Sequence, residues 1–173
     1  MKTLFEDIDL EEVYNKANDI EQEEKEEPKD DTSDDSKKTL SELAALLYAF
    51  GNDVRILHLY TSGEDFKTYH ETLNDLYDIL FDAYDTTAEM AISHDEKIVN
   101  PAKVLEVCTD WTPIEGEKFT TDTILKEVDD RGNKVLDAIK NIKEYESFVQ
   151  SNVDDFTGQI DKIVNYIFKQ SAK

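Results

Sequence analysis

From Thr39 onward the apolar residues return every three or four positions over stretches too long to be strands, and this period limits the fold more than any other feature. Leu43, Leu47, Phe50, Val54 and Leu57 make one stripe, which predicts a helix running to about Tyr60. Thr39 followed by Glu42 is a capping-box pattern at its start. Ser62 and Gly63 break the stripe. A second helix is predicted from about Asp65 to Ile92, with Phe66, Leu73, Leu76, Leu80, Tyr84 and Thr87 along its apolar side. The segment from Ser93 to Thr120 collects the remaining turn signals, and within it Asn100 and Pro101 suit the start of a short helix through Val107. A third long helix is expected from Thr121 to Phe148, across Gly132. A fourth is expected from near Asn152, carrying Phe156, Ile160, Ile163, Val164 and Ile167. With five glycines and three prolines in 173 residues, the chain reads as all-α. The expected architecture is a four-helix bundle over 39–172, with a short helix in the long crossing between helices 2 and 3.

Residues 1–38 obey no such period. Ile20 to Lys38 is mostly Glu, Asp and Lys, too polar to offset its ordering entropy, so 1–38 is expected to be a largely disordered acidic extension. Inside it Leu4, Phe5, Ile8, Leu10, Val13 and Tyr14 form a patterned island. Residues 3–14 read either as a frayed helix or as a short peptide that docks onto a partner. The formal net charge is -22, which repels phosphate and argues against direct nucleic-acid binding while attracting cations. A single cysteine, Cys108, forbids an intrachain disulfide and fits a reducing compartment. No apolar run approaches the roughly 20 residues that span a bilayer, and Met1 to Leu10 lacks the order of a signal peptide. A soluble cytoplasmic protein is expected.

The chemistry lies with the histidines. His58 falls near the end of the first helix and His70 one turn into the second; Asp85 and Glu89 follow on that second helix, four apart and on one face. Two imidazoles and two carboxylates form a mixed nitrogen and oxygen set suited to Fe(II), Zn or Mn. His70 and Asp85 are 15 residues apart, about 22 Å on an unbroken helix, whereas metal–ligand bonds are about 2.0–2.2 Å long. One chain therefore cannot bring them to one ion. A second copy packed antiparallel can, and a two-fold dimer would then hold two identical sites.

From Leu57 to Ala91 the chain resembles the Dps family of mini-ferritins, in the ferritin-like superfamily. In that family a His is followed five residues later by Gly, eight later by Phe and twelve later by a His-Glu pair. Asp and Glu then stand fifteen and nineteen residues after the second His. These positions are His58, Gly63, Phe66, His70, Glu71, Asp85 and Glu89, with Ala88 before the last. The likeness extends over about Thr39 to Gln170. It implies a ferroxidase centre with His58 and His70 from one subunit and Asp85 and Glu89 from its two-fold mate, in a shell of twelve subunits. The substrates it implies are iron and hydrogen peroxide or dioxygen. Asn74 stands where the family often has an Asp ligand, Leu59 where it usually has Trp, and the tail is acidic where DNA-condensing members are Lys-rich.

The expected function is iron oxidation, storage and protection from oxidative stress, without DNA condensation. The alternative is a structural or adaptor protein of the same fold that uses its metal only for assembly; a redox-silent Zn or Mn site is a third reading. His94, with no partner at a useful spacing, reads as surface. Asp129 and Asp130 read as a solvated face or an acidic pore lining, and Cys108 and Trp111 as packing.

Overall fold

The computed structural model describes residues 37–116 and 118–171. The extension expected over 1–38, with its island at 3–14, lies outside them apart from Lys37 and Lys38. Regular structure among the described residues is helical: α1 (Leu40–Tyr60), α2 (Phe66–Ser93), α3 (Val104–Val107), α4 (Thr121–Lys140), α5 (Ser147–Asp161) and α6 (Phe168–Ser171). A 3-10 turn, Pro101–Lys103, leads into α3, and a π-helical turn, Lys162–Ile167, joins α5 to α6. None of these helices is long and apolar enough to cross a membrane. α1 packs along α2 and against α4, α2 and α4 each pack on α5, and α3 lies on α1.

The start of α1 is held as its sequence predicts and then more tightly. The Glu42 amide donates to Thr39 Oγ1 at 3.2 Å, and the Thr39 amide donates to Glu42 Oε2 at 2.8 Å. Two further amides that the helix cannot satisfy itself find distant acceptors. Leu40 N–H donates to the Tyr145 hydroxyl at 3.1 Å and Ser41 N–H to Glu96 Oε2 at 2.8 Å. Below this cap Leu40, Leu43, Leu47, Phe50, Val54 and Leu57 are wholly buried and line the core.

One charged residue interrupts that stripe. Asp53 is 3% exposed and its carboxylate accepts three hydrogen bonds: from Trp111 Nε1 at 2.7 Å, Ile114 N–H at 2.9 Å and Arg131 Nη1 at 2.6 Å. Arg131 also donates through Nε to Glu127 at 3.0 Å and lies over the Trp111 ring, 5.2 Å from its centroid. Burial pushes the Asp53 carboxyl above the usual carboxylate range, outweighing the opposite pull of the Ile114 amide, Arg131 and Trp111. The cluster ties α1 to α4 and to the segment that crosses between α2 and α4.

The third helix ends earlier than expected, at Lys140 and not Phe148, and the fourth begins at Ser147 and not near Asn152. No Gly or Pro marks the break. Its cause is tertiary: Lys38 N–H donates to Asn141 O, and Lys143 N–H donates to Lys38 O, both at 2.9 Å. These bonds take the backbone of 141–143 out of the helical ladder. Gly132, inside α4, has a packing reason. A Cβ there would sit 2.6 and 2.7 Å from the two methyls of Val164, a buried residue of the π-helical turn.

Gly132→Ala is expected to lower stability by about 1–3 kcal/mol through overpacking, more than the roughly 1 kcal/mol that alanine adds as a helix former; an unchanged or raised denaturation midpoint would contradict this close approach. Asp53→Ala should cost more, about 3–5 kcal/mol in denaturant unfolding, because it takes the acceptor from Trp111 Nε1 and Ile114 N–H and leaves the largely buried Arg131 with Glu127 as its remaining ion-pair partner. Adding Arg131→Met should recover part of that loss.

Candidate metal centre

The turn between α1 and α2 is built to bring two imidazoles together. Thr61 closes α1 by donating its hydroxyl to Leu57 O at 2.6 Å, and Gly63 then takes φ 108°, a left-handed conformation that favours glycine. Phe66 N–H donates back to Gly63 O at 3.3 Å as α2 begins. The crossing segment fastens the turn from outside. Phe119 N–H donates to Tyr60 O at 3.1 Å and Ser62 N–H to Phe119 O at 3.2 Å.

His58, on the last turn of α1, and His70, early in α2, thereby stack face to face with ring centroids 3.8 Å apart and planes 23° from parallel. Each ring is fastened to the other's backbone: His58 Nδ1 lies 3.0 Å from His70 O, and His70 Nδ1 lies 3.0 Å from His58 O. A carbonyl oxygen can only accept, so both Nδ1 atoms carry the proton. In the neutral rings each Nε2 is then left with the lone pair that a metal ligand needs. Phe66 stacks on the outer face of His70 at 4.9 Å. Both histidines are half-buried, and no described residue bonds to either Nε2.

Asp85 and Glu89 do not join them. Both are exposed on α2, which runs unbroken from Phe66 to Ser93, so the separation of about 22 Å deduced from helix rise stands. Asn74 is exposed one turn beyond His70 and donates its amide to Asp78 Oδ2 at 3.1 Å. Among the described residues no three His, Cys, Asp or Glu side chains lie close enough to hold a metal ion within one chain.

Between the two half-sets lies a feature of which the core-facing stripe named Tyr84 alone. Tyr48 of α1 and Tyr77, Phe81 and Tyr84 of α2 form a half-buried aromatic cluster, with Phe81 5.8 Å from Tyr48 and 4.7 Å from Tyr77 and with Tyr48 5.3 Å from Tyr84. Arg55 lies over Tyr77, 5.7 Å from the ring centroid. Leu59 (60% exposed) and Phe66 flank the histidines, and Ile92 (62%) follows Glu89 by three residues. The signal was present in the spacing of 70, 77, 81, 85, 88 and 92, a second stripe beside the core-facing one.

The remaining assignments are mixed. Asp129 pairs with Lys169 at 3.4 Å and Asp130 with Lys126 at 3.9 Å, as a solvated face would. Cys108 and Trp111 are buried, and Trp111 also serves Asp53. His94 is not free surface: its Nε2 meets Glu146 Oε2 at 2.7 Å, across 52 residues that sequence spacing could not bridge. Neither protein-family models nor curated proteins give a match to this chain.

The reciprocal bonds predict that both imidazoles are Nδ1–H tautomers when neutral. Long-range nitrogen–proton correlation spectra of the metal-free protein should show this; a proton on either Nε2 would mean that the rings have turned away from the carbonyls.

Proposed function

We propose that the chain is a ferritin-like four-helix bundle of the Dps kind that pairs antiparallel with a second copy and oxidises Fe(II) at two shared sites. The observation that carries this is the split donor set. Two imidazoles stand with Nε2 held open at one end of an exposed α2 face, and two carboxylates stand at the other end of the same unbroken helix. An antiparallel two-fold places each half against its complement. The aromatic cluster with Leu59, Phe66 and Ile92 supplies the apolar surface such an interface needs between its polar ends.

Iron is substrate in this reading. Fe(II) enters between His58 and His70 of one copy and Asp85 and Glu89 of the other. The neutral imidazoles suit the ferrous ion, and the carboxylates stabilise the added charge of the ferric product. Each iron gives one electron and peroxide takes two, so two Fe(II), one hydrogen peroxide and two protons yield two Fe(III) and two waters. Asn74, uncharged and one turn from His70, is a weaker accessory oxygen donor. Ligand sets completed only by a second copy also link metal binding to assembly. A closed shell, of twelve subunits by the family resemblance, would retain the ferric product. Its strongly acidic surface fits cation uptake and disfavours DNA.

Anaerobic loading with Fe(II) followed by peroxide tests the reading. Wild type should oxidise and retain many irons per subunit, and His70→Ala or Asp85→Ala should slow oxidation about tenfold or more. Mixed assemblies of the two variants should regain activity, since a mixed dimer has one complete site and one doubly broken site. Random mixing restores about a quarter of the sites. Recovery on mixing supports the shared site. Binding of about one metal per subunit without turnover would instead favour a structural protein using the metal for assembly.

A further inference from the structure

The far end of α2 carries a second histidine arrangement, unrelated to the donor set above. His94 caps α2 with both ring nitrogens engaged. Nδ1 lies 2.8 Å from Met90 O, and Nε2 lies 2.7 Å from Glu146 Oε2, at the residue preceding α5. A carbonyl and a carboxylate are both acceptors, so the arrangement is complete only when both nitrogens carry protons and the ring is cationic. α5 has no side-chain cap on its first turn; the imidazolium grips its capping residue in place of one.

We propose that His94 is an acid-closed clasp between the end of α2 and the start of α5, and that it loosens when the ring loses its charge. The neutral ring has one N–H for two acceptors, so either Met90 O or the Glu146 carboxylate is left facing a lone pair, and the bond to Glu146 loses its ionic part in either tautomer. The titratable groups around the ring fix this polarity. Glu146 faces it from the start of α5 and Glu96 from the segment after α2. Tyr145, from the α4–α5 connection, stands edge-on at 5.3 Å and donates its hydroxyl to Glu96 Oε1 at 2.6 Å. The hydrogen bond to Glu146, then that to Met90 O, raises the His94 pKa above the ordinary imidazole range, and the same bond to His94 lowers that of Glu146. A histidine whose pKa is raised on folding contributes stability that is complete below its unfolded pKa and disappears as pH rises through the folded value. The Glu146 side of the pair is lost only on acidification into the carboxylate range. The clasp is therefore closed between these limits.

The test is a ring-proton titration of His94 in the full chain, beside Glu146→Gln, with amide exchange followed at Gln150, whose N–H donates to Glu146 O. In wild type, protection at Gln150, corrected for the intrinsic rate, should fall as His94 deprotonates. In Glu146→Gln the His94 midpoint should move down towards that of a free histidine, and in His94→Gln the protection should lose its dependence on pH in that range. An unchanged midpoint in Glu146→Gln, or protection that does not follow the His94 titration in wild type, overturns the clasp.

Discussion

Among the described residues Asp53 is the one carboxylate taken out of water into the core, and the site geometry depends on where the hydrogen bonds it accepts come from. Trp111, Ile114 and Arg131 reach it from the crossing segment and α4. Desolvation dominates its titration, so the cluster is a poor source of net stability, and its effect lies in fixing which surfaces meet. With Trp111 and Ile114 anchored, the crossing segment returns to Phe119, whose backbone clamps Tyr60 and Ser62 at the α1–α2 turn. That clamp lies two residues from His58. A buried charge in the middle of α1 is thus coupled, through one irregular segment, to the turn that stacks the imidazoles.

The second constraint is the stiffness of α2. No Gly or Pro occurs between Phe66 and Ser93, so the helix has none of the usual places to kink. Bending it enough to bring Asp85 to His70 would break several backbone hydrogen bonds in a buried ladder. The distance between the half-sets is therefore a fixed property of the chain, and only another molecule can span it. The reciprocal bonds between His58 and His70 do the same for orientation. Each ring is held through Nδ1 by a carbonyl that belongs to the other's helix.

Period and punctuation made the helices legible, because long amphipathic stripes bounded by Thr39, Gly63 and Asn100 left few alternatives. The meeting of His58 with His70 was equally legible, since the end of one helix and the first turn of the next must be neighbours across a tight turn. The end of α4 was not. Its main cause is a backbone bridge to Lys38, more than a hundred residues away, and the local signal is slight: Asn141 at the C-cap after Lys140, with no Gly or Pro. Nor were the partners of His94 and Asp53 legible, since they come from distant chain segments. Asp53 did give a warning: an acid three after Phe50 and four before Leu57, on the buried stripe, needs donors that local sequence cannot name.

The charge of the chain connects these points to the proposed function. At -22, two copies approaching face to face repel each other beyond contact distance, with screening only over about 8 Å at physiological salt. The described arginines are spent sparingly on this surface: Arg131 is turned inward to Asp53, and Arg55 lies on the aromatic face between the half-sets. On the proposed reading, a ferrous ion joining neutral imidazoles to Asp85 and Glu89 of the second copy removes part of that repulsion where the copies meet. Oxidation to the ferric state adds another positive charge at the same place. Assembly and iron uptake then favour each other for an electrostatic reason as well as through shared ligands. On that proposal, the acidity that would otherwise hold the copies apart becomes a reason for them to close around a cation.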